Sequence, residues 1–79
     1  MATQTRKSPT VLTARQAILA LVEHGMTDAE IATEAACTTM SIYNWRTGKT
    51  PPLKAYRENL ARVYEKHVGA RVVVSATKN

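Results

Sequence analysis

The sequence lacks the covalent and metal links that stabilise many small proteins. Cys37 is the only cysteine among 79 residues, so no disulfide can form within the chain. A single thiol fits a reducing compartment better than a bridge-stabilised secreted fold. His24, Cys37 and His67 lack the close pairwise spacing that a zinc site needs. Because a chain of this length buries only a small core, we expect a partner subunit to supplement its stability.

Long apolar runs and glycine-rich segments are also lacking. No stretch approaches the roughly 20 apolar residues that cross a bilayer, and Met1–Thr10 is polar, without the apolar core of a secretory signal. The three glycines are too scattered for a phosphate-binding loop, and no pattern positions a catalytic acid pair or Ser/His/Asp set. We expect a soluble, cytoplasmic protein that is not an enzyme, with no cofactor, metal, small-molecule ligand or membrane partner.

Acidic residues are the scarcer charges. Six Asp and Glu stand against eleven Lys and Arg, which gives a formal net charge of +5. Three of the acids cluster at Asp28, Glu30 and Glu34, whereas no acid interrupts the segment from Arg46 to Arg57. A basic surface favours a polyanionic partner, although solubility alone also tolerates this charge.

Helical periodicity covers most of the chain. It predicts four helices, over Ala14–His24, Asp28–Ala35, Thr39–Arg46 and Pro52–Val68. Thr13 is a candidate N-cap, and Thr27 with Glu30 forms a capping box. The residues expected on inward faces are Ala14, Ile18, Leu21, Val22, Ile31, Ala32, Ala35, Cys37, Ile42, Trp45, Leu53, Tyr56, Leu60, Val63 and His67. The fold class is therefore expected to be all-α, a compact four-helix domain.

The two ends of the chain differ from the helical part. Residues 1–12 contain Arg6 and Lys7 and are expected to form a mobile basic arm. Residues 13–69 form the domain, and residues 70–79 form a tail. Within the tail the β-branched run Val72–Val74 is consistent with a short strand, whose open edge could pair with a second copy of the chain.

The second and third predicted helices are separated by a short turn, Ala36–Thr38. Two short helices joined in this way form a DNA-binding unit whose second helix enters the major groove. The residues expected to contact bases are Thr38, Thr39, Met40, Tyr43, Asn44 and Thr47. Those expected to contact phosphates are Ser41, Arg46, Lys49, Lys54 and Arg57. Ordinary roles stay open: Asn44 as a surface amide, Tyr43 as a solvent-facing ring, Met40 as a gap filler and the cations as a solvated surface.

A run of residues across these helices carries a family resemblance. Ile31-Ala32, Ile42, Trp45, Gly48 and Pro51 resemble the pattern of the phage λ repressor/Cro and Xre-type helix-turn-helix regulators. The resemblance extends over about Thr13–Val68. It implies a compact helical domain, usually dimeric, that acts at an operator.

Two positions depart from that family pattern. Asp28 stands where the family often has a phosphate-binding Gln, and a carboxylate would repel a phosphate. Ala36 stands at the turn position that the family usually gives to Gly, which costs roughly 1 kcal/mol if the residue adopts a positive φ. Phosphate contacts are then expected from helix N-terminal amides and from other side chains.

These features together predict a sequence-specific regulator that binds double-stranded DNA. The expectation is a small phage or bacterial repressor or autoregulator that binds an inverted repeat as a homodimer. The expected dimer residues are Tyr64, Val68, Val72, Val73 and Val74. Two alternatives stay open: an accessory DNA-binding module (antitoxin, excisionase-like or recombinase-targeting) and a protein-interaction module.

Overall fold

The computed structural model describes residues 10–75, which form four helices with one short strand at each end. In chain order the elements are β1 (Thr10–Thr13), α1 (Ala14–Glu23), α2 (Asp28–Ala35), α3 (Thr39–Arg46), α4 (Lys54–Val68) and β2 (Val72–Ser75). The four predicted helices are confirmed to within two residues at each end. No helix among residues 10–75 is both long enough and apolar enough to cross a membrane.

Threonines begin the first three helices. Thr13 and Thr27 each accept a backbone N–H through the side chain, and Gln16 and Glu30 accept the N–H of the capping residue in return. Thr38 caps α3 by accepting the Ser41 N–H at 3.1 Å. These bonds satisfy amides that have no partner inside a helix, so the predicted starts hold.

The turn between α2 and α3 requires a left-handed residue, and alanine fills that position. Ala36 has φ 61° and ψ 44°, a left-handed conformation that favours glycine. The Cys37 N–H then donates to the Ala32 carbonyl at 2.9 Å, which closes the end of α2. The turn tolerates a side chain here at a cost of roughly 1 kcal/mol.

All four helices contribute to one apolar core. Its fully buried large side chains are Ile18, Leu21, Ile31, Ile42 and Leu60. Trp45 lies beside Tyr56 with the ring centroids 5.3 Å apart, so an aromatic pair joins α3 to α4. Helices too short to be stable alone are thereby stabilised by packing.

Three residues expected to face inward behave differently. Leu53 is 72% exposed because α4 begins only at Lys54, and Leu53 itself is extended with ψ 163°. Val22 lies at the edge of the apolar face of α1 and is 39% exposed. His67 is half-buried and its ring bonds the carboxylate of Glu34, so it belongs to a polar contact and not to the core.

The two strands correct the expectation of an all-α fold. β1 and β2 form a parallel sheet in which Val11 pairs with Val73 and Thr13 with Ser75. Residues 10–12, expected in the mobile arm, therefore belong to the folded domain, and residues 1–9 lie outside the described region. The four helices form the long crossover that a parallel pair requires. The tail thus finds its strand partner within its own chain.

The sheet also corrects part of the expected dimer surface. Side chains alternate between the two faces of a strand, and Val72 and Val74 are each 5% exposed against the domain. They are core residues, so their side chains are unavailable to a partner subunit. Val73 is 47% exposed and its register partner Val11 is 63% exposed. Tyr64 and Val68 are half-buried and pack against the core.

Candidate nucleic-acid interface

Helix α3 has one buried side and one exposed side. Ile42 and Trp45 are buried, which fixes the helix against α1 and α2. The opposite side carries Thr39, Met40, Tyr43 and Asn44, which we call the outer face of α3. Met40 is 64% exposed and Tyr43 42% exposed. This face carries no charged side chain.

Hydroxyl groups at the two ends of α3 are already engaged. Thr38 donates to the Ser41 Oγ at 3.0 Å. Thr47 donates to the Tyr43 carbonyl at 2.9 Å. Thr38, Ser41 and Thr47 therefore shape the ends of α3, and Thr38 and Thr47 keep only acceptor capacity for a ligand. The Asn44 amide has no hydrogen bond to any of the described residues, so its donor and its acceptor remain available.

The predicted phosphate-binding cations that follow α3 differ in their surroundings. Lys49 and Lys54 are exposed. Arg57 is half-buried and donates to the Pro52 carbonyl at 3.0 Å, which secures the turn before α4. We call Lys49, Lys54 and Arg57 the basic margin. These three residues follow α3 in the amino-acid sequence.

Arg46 is held by a partner that the sequence did not indicate. Its Nη2 lies 3.0 Å from Oδ2 of Asp28, and the two side chains are 31% and 24% exposed. The Arg46 Nε is buried and has no hydrogen-bond partner among the described residues. Asp28 is the first residue of α2 and Arg46 is the last residue of α3. The salt bridge therefore connects the N-terminal end of α2 to the C-terminal end of α3.

Two cations lie near the ring of Tyr43. The Arg46 guanidinium is 5.5 Å from the ring centroid and the Lys49 ammonium 5.7 Å. Both distances fall within the range of cation–π attraction. The exposed Tyr43 ring therefore has two attractive contacts with cations, each worth about 0.5–1 kcal/mol at an exposed site.

The acidic cluster of α2 is engaged within the domain. Glu30 accepts the Thr27 N–H, and Asp28 pairs with Arg46. Glu34 accepts from His67 at 2.9 Å and from Lys66 at 3.4 Å, and the His67 hydrogen bond is the main reason that its pKa is lowered. These acids are thus satisfied on α2 and do not neutralise the basic margin within residues 10–75.

No protein-family model, curated protein or solved structure matches this chain. Within residues 10–75, no three His, Cys, Asp or Glu side chains are grouped closely enough to hold a metal ion. Burial raises the pKa of the Cys37 thiol, so this half-buried cysteine is less acidic than a free one. The outer face of α3 and the basic margin remain the best-supported candidate site.

Proposed function

We propose that the protein is a sequence-specific regulator that binds double-stranded DNA, with α2, the Ala36–Thr38 turn and α3 acting as a helix-turn-helix unit. The observation that carries the proposal is an exposed, uncharged α3 face with the exposed Lys49 beside it, 5.7 Å from the Tyr43 ring. The exposed Lys54 follows in the chain. Base edges need hydrogen-bonding and methyl-contacting groups, and phosphates need cations. A helix docked in the major groove places both sets against the DNA parts they suit.

The outer face offers chemistry that distinguishes base pairs. The Asn44 amide can donate and accept at once, which matches N6 and N7 of adenine. Met40 and the Tyr43 ring are the apolar part of the face and suit the thymine methyl group. Thr39 adds a hydroxyl at the N-terminal end of α3. These residue types favour a site rich in A·T pairs.

The backbone contacts come from the basic margin and from helix ends. Lys49 and Lys54 are exposed and can reach phosphates. Arg57 contributes positive charge while its side chain donates to the Pro52 carbonyl in the turn before α4. Amides at the start of α3 add donors that favour an anion. Such contacts set the orientation of the domain without reading sequence.

A gel shift with the genomic DNA immediately upstream of the protein's own gene tests the proposal. Binding that resists excess unrelated DNA supports an autoregulatory role. Preferential binding only to DNA elsewhere would favour an accessory module. Absence of binding to any duplex at low salt would disprove DNA recognition and favour a protein-interaction module.

One predicted pair of variants separates base reading from backbone holding. Asn44→Ala should weaken binding to the preferred duplex by about 1–3 kcal/mol and binding to random duplex much less, because only the former uses the amide. Lys49→Ala should weaken both by similar factors. Titrations of each variant against both duplexes measure this. An unchanged preference in Asn44→Ala would remove Asn44 from the base contacts.

A homodimer forms the second part of the proposal. One α3 spans only a few base pairs, and a two-fold axis doubles the length of DNA read. The expected operator is an inverted repeat with half-sites about 34 Å apart. Val11 and Val73 are paired in register and exposed, so they are the surface of the sheet best suited to meet a second copy.

The dimer prediction is tested with a charge placed on that surface. Val73→Lys should leave the fold intact and shift the protein from dimer to monomer, because two like charges would meet at the two-fold axis. Sedimentation equilibrium at micromolar concentration gives the mass. Val22→Lys adds the same charge on α1 at a similarly exposed valine and should stay dimeric. A dimer that persists in Val73→Lys would assign the interface to the half-buried Tyr64 and Val68 instead.

A further inference from the structure

The contact between Asp28 and Arg46 changes the role that we assign to both residues. The sequence predicts that Arg46 binds a phosphate and that Asp28 repels one. In the folded domain the two side chains form a salt bridge at 3.0 Å that closes the α2–α3 pair. The same guanidinium lies 5.5 Å from the ring of Tyr43, three residues earlier on α3. One arginine therefore contacts the start of α2 and a ring of the outer face.

We propose that Arg46 is a positioning residue for base recognition, which uses its salt bridge with Asp28 to hold the Tyr43 ring on the outer face of α3. The inference rests on the proposed DNA-binding function and goes beyond it. It assigns specificity, rather than backbone affinity, to a residue whose charge points to phosphate binding.

The surroundings of Arg46 favour this role over a phosphate contact. Its side chain is only 31% exposed, and its Nε is buried. A phosphate approaching the guanidinium would have to compete with the Asp28 carboxylate and would be repelled by it. Lys49 has no such partner among the described residues and is exposed, so it serves as the phosphate contact at this end of α3.

The same geometry explains how Arg46 acts on specificity. Tyr43 is 42% exposed, and a ring so exposed must lose rotational freedom when it meets a base. A guanidinium fixed by Asp28 restrains the ring before binding, which lowers the entropy cost of recognition. The salt bridge also limits how far the ends of α2 and α3 separate. Both effects favour the preferred site and contribute little on random DNA.

The experiment compares full-length variants on two duplexes. One duplex is selected by the wild-type protein from a randomised library, and the other is a scrambled sequence. Arg46→Met keeps the apolar stem and removes the guanidinium. Arg62→Met removes the same charge from an exposed position on α4 and is the matched control. Lys54→Met serves as the reference for removal of a phosphate-binding charge, because among the described residues only Arg46 and Lys49 lie over the Tyr43 ring. Affinities are measured from low to physiological salt, and circular dichroism checks that each variant folds.

Arg46→Met should lower the affinity ratio between the two duplexes by about 5- to 150-fold, the range of a single base contact. Its slope of log affinity against log salt should stay unchanged, whereas the slope of Lys54→Met should be smaller by about 0.9 for each phosphate that Lys54 neutralises. Arg62→Met should change neither quantity. Asp28→Asn should also lower the ratio, while it raises affinity for the scrambled duplex because it frees Arg46 and removes a negative charge.

Arg46→Lys keeps the test decisive if Arg46→Met unfolds. A lysine retains the charge but not the planar group near Tyr43, so the affinity ratio should still fall. An unchanged ratio in Arg46→Lys, or a smaller salt slope with an unchanged ratio in Arg46→Met, would overturn the inference and make Arg46 a phosphate contact. If the wild-type protein selects no duplex, the proposed function itself fails and the inference falls with it. The wild-type titration thus separates the two failures.

Discussion

Replacement of Trp45 by alanine is expected to destabilise the folded protein by about 3–5 kcal/mol, the usual cost of removing a large buried aromatic side chain. Trp45 is 7% exposed and lies against Tyr56 on α4. The substitution leaves a cavity between α3 and α4 and removes the aromatic pair. Since natural domains are stable by only about 5–15 kcal/mol, this loss removes a large share of the free energy of unfolding of so small a domain.

Urea unfolding followed by circular dichroism measures this destabilisation without relying on tryptophan fluorescence. Tyr43→Ala is the matched control because it removes an aromatic ring from the exposed side of the same helix. It should change stability much less and should weaken DNA binding instead. A Trp45→Ala protein that unfolds like the wild type but no longer binds DNA would show that Trp45 contacts DNA, and our placement of its ring would be wrong.

DNA binding is expected to fall steeply as salt is added. Each neutralised phosphate contributes about 0.9 to the slope of log affinity against log salt. With about three phosphate contacts from each subunit of a dimer, affinity should fall about a thousandfold between about 50 and about 200 mM salt. Lys49, Lys54 and the remaining donors release counterions from the phosphates, and that release favours binding less as the salt concentration rises.

Two lysines on the same helix provide the test of where these contacts lie. Lys54→Ala at the start of α4 should reduce the slope by about 0.9 for each phosphate that Lys54 neutralises. Lys66 lies twelve residues further on, about 18 Å along the helix, and contacts Glu34. Lys66→Ala removes an equal charge and should leave the slope unchanged. A flat salt profile in the wild-type protein would exclude the basic margin as a phosphate-binding surface.

Local signals in the sequence were sufficient for the helices. Thr13, Thr27 and Thr38 satisfy amides within three residues of themselves, so each helix start depends on its own neighbours. The spacing of Ile42 and Trp45 likewise predicted which side of α3 is buried. The exposed outer face of α3 follows from the same periodicity. These features need no knowledge of the rest of the fold.

The start of α4 is a place where the local sequence pattern predicted the structure incorrectly. Pro52 suggested a helix start, but the chain stays extended through Leu53 and α4 begins only at Lys54. Leu53 therefore lies outside the apolar face of α4 and is exposed. The Arg57 side chain, which donates to the Pro52 carbonyl, stabilises that turn through a contact that no short pattern indicates.

The four helices, their caps and the uncharged outer face of α3 could be predicted from the order of the residues, because each depends on groups within about one helical turn of one another. The pairing of Val11 with Val73 and of Asp28 with Arg46 could not. Each of these contacts joins elements that packing of the helices brings together. A β-branched run can pair with any free edge and a cation with any nearby anion, so composition cannot choose the partner. Packing of the helices around the shared core determines each partner, because it decides which strand edge and which charged group lie within reach.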